Sequence, residues 1–180
     1  MPSKIVRAAA LLFPGLLAGA FGYGAVNVLY AFREVPLDVR FTFHTALMRV
    51  NGPVMQSLMA LTILSAVVLA VRSGGRARIL AAVAAVLAFA SFLITRFGNV
   101  PINQHIKVWA VSGPPADYAE VLQRWEQFHF ARTGCALVAF VALIIAVTSY
   151  DGGTAAPVTD SARRSALRPL ATGRARGDRG

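Results

Sequence analysis

Four long uncharged runs, a low charged content and an excess of basic residues on alternate connections predict an all-α, integral membrane four-helix bundle. Of 180 residues, 56% are hydrophobic and 14% charged, and the mean hydropathy is +0.58. Soluble domains carry about 25% charged residues. Residues 8–32 are uncharged over 25 positions, and 54–71, 79–95 and 133–150 add runs of 18, 17 and 18. About 20 apolar residues suffice to cross a hydrocarbon core about 30 Å thick. The runs are apolar on every face and lack the alternation of a barrel strand, so the spans are helices.

The first run has a rival reading. Lys4 and Arg7 followed by an apolar stretch and Ala18-Gly19-Ala20 resemble a secretory signal peptide with its cleavage site. A signal core of 7 to 15 residues would have stopped well before Phe32, which favours a retained span. Gly15, Gly19 and Gly22 share one face of this helix and are expected to form a close-packing surface. The lone Cys135 lies inside the last run, which excludes an intrachain disulfide and a cysteine-based metal cluster.

Charge orients the spans. Lys4, Arg7, Arg72, Arg76, Arg78 and six arginines after Tyr150 fall on one side; Arg33, Arg40, Arg49, Arg96, Lys107, Arg124 and Arg132 fall on the other. Eleven against seven places both termini in the cytoplasm of a cell-membrane protein. The expected organisation is a transmembrane domain over 1–150 and an Arg-rich cytoplasmic tail over 151–180. The tail is too poor in aromatic and β-branched residues to order itself. It is expected to be disordered, with its arginines on anionic headgroups. Nucleic acid is not an expected partner, because no folded basic domain or stacking aromatics accompany the charge.

The two connections opposite the termini hold most of the polar chemistry. Residues 33–53 read as a short extracytoplasmic amphipathic helix with Phe41, His44, Met48 and Asn51 on one side, closed by Asn51-Gly52-Pro53 and lying on the bilayer. In the other, Gly98 and Pro101 are expected to break the third helix where it leaves the core, turning out Asn99 and Asn103. Ser112-Gly113-Pro114-Pro115 is a turn, and Asp117 with Glu120 reads as a capping box. A single rod then runs from Tyr118 to Tyr150. Its spacing puts Tyr118, Leu122, Trp125, His129 and Arg132 on one stripe and Glu120, Gln123, Arg124 and Gln127 on another, with Glu120 and Arg124 able to pair. The stripe should face the Asn99–Asn103 region of its antiparallel neighbour. An alternative is an interface belt, with Trp125 and Tyr118 at headgroup level and Arg132 snorkelling.

Asn99-Val100-Pro101-Ile102-Asn103, followed by Arg124-Trp125-Glu126-Gln127-Phe128-His129-Phe130-Ala131-Arg132-Thr133, resembles the anthrone-oxygenase-like family of small four-span membrane proteins. The family run is Asn-Val-Pro-Leu-Asn-like, with Ile102 here in place of Leu. Met48 to Pro53 fits more loosely, because Gly52 separates Asn51 from Pro53. The similarity covers roughly residues 10–150. It implies oxidation of polycyclic anthrones by dioxygen with no metal, flavin or other cofactor. That chemistry asks for a base, donors for an enolate oxygen, and an apolar cavity. The resemblance implies His129 as base, Arg132, Asn99 and Asn103 as oxyanion donors, and Trp125 as a stacking wall, with Tyr118, Leu122, His105 and His44 alongside as substrate-binding residues.

A second reading stays open: a non-catalytic membrane module, or small subunit of a larger assembly, in which the same residues lock two helices together. An enclosed cavity lined by His129, Arg132 and Asn103 would favour the enzyme, and packed side chains the module. A transporter lacks support, since no acidic residue lies within the four runs. Haem ligation by His44, His105 or His129 is disfavoured because no two of them are expected to face each other at mid-membrane.

Overall fold

The computed structural model describes residues 2–149. Within them the chain forms four helices: α1 (Lys4–Glu34), α2 (Leu37–Arg72), α3 (Gly75–Ser112) and α4 (Tyr118–Thr148), each long and apolar enough to cross a membrane. At 1.5 Å per residue they are roughly 46 to 57 Å long, so their ends extend beyond the hydrocarbon. No strand is present among the described residues. The helices run up and down in turn, α1 against α2 and α4, and α3 against α2 and α4. The termini and the Ser73–Gly74 turn share one end, here the proximal end; the other two connections form the distal end. The 151–180 tail lies outside the described residues.

The proximal half is a seam of small side chains. Ala77, Ala81, Ala84, Ala88 and Ser91 on α3 and Ala136, Ala139, Ala142 and Ala146 on α4 are buried. Val83, Val86, Phe89, Val138, Val141 and Ile145 are exposed. This inversion follows from the solvent, because lipid gives large apolar side chains no reason to hide while small ones let backbones approach closely. Ser91 closes the seam by donating its Oγ hydrogen to the Arg132 carbonyl at 3.0 Å.

Several local expectations change. Arg33 and Glu34 end α1, and residues 37–53 are helical but form the first turns of α2 instead of a separate helix lying on the surface, with Pro53 inside that helix. In lipid an opened backbone would leave groups unpaired, so the helix continues through the proline. The third helix does not break either: Thr95–Asn99 widens into a π-turn in which the Val100 N–H reaches the Thr95 carbonyl, and Pro101 follows in the first turn of the resumed α-helix. A wide turn relieves the clash of a proline ring with the preceding turn. The Ser112–Pro115 turn forms, with Gly113 at φ +78° where a side chain would be strained. Asp117 precedes α4 without a side-chain cap, its carbonyl accepting from Glu120 N–H at 3.1 Å. Its φ of −91° and ψ of 11° depart from the extended cap conformation.

The glycine face of α1 also differs. A Cβ at Gly15 would meet the Phe140 ring at 3.2 Å, whereas Gly19 and Gly22 have no neighbour within 4 Å. The close approaches occur at Gly98, where a Cβ would lie 2.6 Å from the Phe128 ring, and at Gly24, where it would lie 3.2 Å from the His129 ring. Gly24 opens a second π-turn, Gly24–Val28. Two neighbouring side chains of α4 are thus seated against glycines in the π-turns of α1 and α3.

Candidate functional site

The stripe of α4 faces the bundle as its spacing predicts: Leu122, Trp125 and His129 are buried, and Arg132 and Tyr118 half-buried. Around it the distal half gathers two connected polar groups. In the upper one, Trp125 Nε1–H donates to Asn103 Oδ1 at 2.8 Å. Indole nitrogen only donates, which identifies the facing Asn103 atom as oxygen. His44 Nε2 lies 3.0 Å from the same oxygen and therefore carries its proton there. Asn103 Nδ2 points at Met48 Sδ, 3.5 Å away. His44 is stacked on Phe32 with centroids 5.3 Å apart and meets the Trp125 edge at 4.9 Å.

In the lower group, Arg132 Nε and Nη2 lie 3.2 and 2.9 Å from His129 Nδ1. Guanidinium is donor-only, so Nδ1 is the unprotonated nitrogen and Nε2 carries the ring proton, on the ring edge that faces Gly24. Arg132 Nη1 donates to Thr95 Oγ1 at 3.3 Å, and Thr95 Oγ1 donates to the Ser91 carbonyl at 2.8 Å. The guanidinium carbon sits 4.4 Å above the Phe21 ring centroid. The Trp125 and His129 rings are parallel within 7°, centroids 5.3 Å apart, and join the two groups.

Both groups border a cavity of about 360 Å³, within the usual range for small-molecule pockets. Arg132, His129, Trp125, Asn103 and Thr95 form its polar side; α1 supplies Phe21, Gly24 and Phe32, and α2 supplies Met48, Asn51, Met55, Gln56 and Met59. Among the described residues Arg132 has no carboxylate partner. The described ion pairs involve Glu126, which is shared by Arg33 and Arg40 at the distal end, and not the expected Glu120 with Arg124. One N–H on each Nη of Arg132 remains unassigned, so the cavity presents uncompensated positive charge in an apolar surround.

The other anticipated site residues separate. Asn99 is 1% exposed and does not border the cavity; its Nδ2 donates to the Trp125 carbonyl at 3.0 Å and its Oδ1 has no partner. It therefore ties α3 to α4, and the expected donor role at an oxyanion does not fit its position. His44 stands behind Asn103 and orients it. Leu122 and Tyr118 belong to an apolar cluster with Phe41, Ile106 and Trp109 beyond Trp125, away from the cavity. His105 is exposed and leans on Trp109 with centroids 6.2 Å apart. No group of three His, Cys, Asp or Glu among the described residues is placed to hold a metal ion.

The sequence reading missed the α1 wall and most of the α2 wall. Glycines at 24 and 98 inside otherwise apolar helices, and the isolated polar Gln56 within the second uncharged run, were the available signals.

Fold and cavity together define a four-span membrane protein that turns its polar groups inward, around a space sized for a small molecule. Over residues 42–142 the chain matches the family model described as anthrone oxygenase, and it belongs to that family. The matched segment contains both polar groups, whereas α1 lies before it. Among curated proteins and solved structures, none matches the chain.

Proposed function

We propose that this protein is a cofactor-independent oxygenase of flat, hydrophobic, polycyclic or quinone-like molecules, and that its two polar groups face the extracytoplasmic side. The observation that carries this reading is the cavity bordered jointly by His129, Arg132 and Asn103. A purely structural cluster would fill that space with side chains. Three methionines on one wall and Phe21, Phe32 and Trp125 on the others suit a flat aromatic ring, since thioethers and ring faces make favourable contacts with it.

Chemically, Arg132 and His129 work as a pair. At rest the guanidinium occupies the Nδ1 lone pair. A substrate oxygen that gains negative charge draws the Arg132 N–H groups to itself, which frees Nδ1 to take a proton from the methylene across the same ring, whose charge is delocalised onto that oxygen. The resulting electron-rich enolate reacts with dioxygen in the apolar space. Overall the methylene becomes a carbonyl with one oxygen atom, and its two hydrogens leave with the other as water. Trp125 stacks beside the imidazole, and Asn103, held by His44, positions Trp125.

The test is turnover of anthrone by the purified protein in nanodiscs, followed by oxygen uptake and quinone absorbance with a chelator present. Wild-type protein should consume one dioxygen per quinone formed. His129→Ala and Arg132→Met should each lose about a hundredfold or more while remaining helical. Undiminished rates in both folded variants would reject the assignment.

A further inference from the structure

The cavity's exposed lining residues lie on its flank and not at its distal end. Ala20, Tyr23 and Gln56 border the cavity and are exposed on the outside of the bundle, Tyr23 by 64%. The distal wall is shut: Phe32, Leu29 and Trp125 are buried. Phe32 is covered by the His44 ring and by the Arg40 guanidinium 5.8 Å from its centroid. Above it Glu126 pins Arg33 of α1 and Arg40 of α2 together. Toward the proximal end Leu17 and Phe21 pack with Met59 and Ala136. The side that remains, between α1 and α2, carries those exposed lining residues at the level of the uncharged runs. Gln56 lies seven residues beyond the exposed Arg49, about 10 Å deeper along the helix.

Two carboxamides on this side lack partners. Asn51 and Gln56 border the cavity, and neither makes a hydrogen bond among the described residues. An unpaired amide facing hydrocarbon is costly, and on a lipid-facing surface it serves no packing purpose. Both stand on the α2 wall, away from the α4 helix that carries Arg132. We propose that the ligand enters sideways from the hydrocarbon through the α1–α2 window, and that Gln56 and Asn51 then bind a carbonyl or hydroxyl oxygen on the edge of a flat aromatic whose other edge meets Arg132. The inference rests on the aromatic-substrate reading above and extends it. The ligand class becomes a lipid-partitioned aromatic with hydrogen-bonding oxygens on two opposite edges.

Binding without turnover tests it. In oxygen-free nanodiscs, quenching of the protein's tryptophan fluorescence gives dissociation constants for anthraquinone, with oxygen on both edges, and anthrone, with oxygen on one. Gln56→Leu combined with Asn51→Leu should weaken anthraquinone about three- to tenfold per lost hydrogen bond and leave anthrone within about twofold. Gln56 is exposed, so its replacement by Leu in a lipid setting preserves the fold, and the single Gln56→Leu variant serves if the double one does not fold. Ala20→Phe at the window should slow association about tenfold or more, whereas Val67→Phe, on the exposed surface of α2 away from it, should not. Equal weakening of both ligands, no weakening of either, or an unchanged association rate in Ala20→Phe overturns the proposal. Selective weakening in a protein that does not turn over anthrone in air upholds the window and its carboxamides and removes only the oxygenase assignment.

Discussion

The proximal and distal halves of the bundle are made from the same four helices and pack in opposite ways. Near the termini, α3 and α4 approach through buried alanines. In the distal half two π-turns, Gly24–Val28 and Thr95–Asn99, widen α1 and α3, and the room they create admits the Phe128 and His129 rings. Regular close packing in one half supplies rigidity. The other half carries charge, hydrogen-bonded rings and a cavity, which regular α-helices at that spacing would not accommodate. The cavity sits where the helical repeat is broken, as π-turns often mark.

The largest effect is expected at the ion cluster of the distal end. Glu126→Gln removes the carboxylate shared by Arg33 and the 7% exposed Arg40. Leaving that guanidinium unpaired should cost about 3 kcal/mol of stability, read as an earlier unfolding midpoint in mixed micelles titrated with SDS. A midpoint equal to wild type would show that the distal closure does not depend on the ion cluster. Next comes the seam: Ala84→Leu, at a fully buried position, should cost about 2 kcal/mol by forcing α3 outward. Ligand affinity, measured below the unfolding range, should hold, and a parallel loss of affinity would show the halves to be coupled.

Gly98→Ala should have a smaller effect. Its Cβ would fall 2.6 Å from the Phe128 ring, so a loss of about 1 to 2 kcal/mol is expected, with partial recovery when Phe128→Leu is added. Additive destabilisation in the double variant would place the strain elsewhere. The smallest effect concerns Gly22, whose side faces open space. Gly22→Ala should stabilise by about 0.5 kcal/mol through helix propensity, and a loss would reveal a packing role for that face.

Much of the bundle could be read directly. The four spans follow from uncharged length, and the α4 stripe from a spacing that the structure reproduces at Leu122, Trp125 and His129. The polar motif on α3 and α4 was legible because Asn, His and Arg are conspicuous in an apolar chain. Which of them border one space was not. Asn99 and Asn103 are equivalent in the sequence, four positions apart, yet the π-turn leaves one beside the Trp125 carbonyl and the other facing the cavity. His44, His105 and His129 have comparable local settings, and only His129 reaches the cavity wall.

Length and hydropathy determined the four helices, because a backbone in hydrocarbon has no other way to satisfy its hydrogen bonds and that demand is local. Spacing determined which side of α4 turns inward, since helical periodicity is also local. The tertiary structure alone decided that Gly24 and Gly98 would be seats for rings, that Arg132 would have no counter-charge among the described residues, and that Tyr23 and Gln56 would border one cavity. Those outcomes depend on distances between residues far apart in the chain, which are set by how four rods settle against one another.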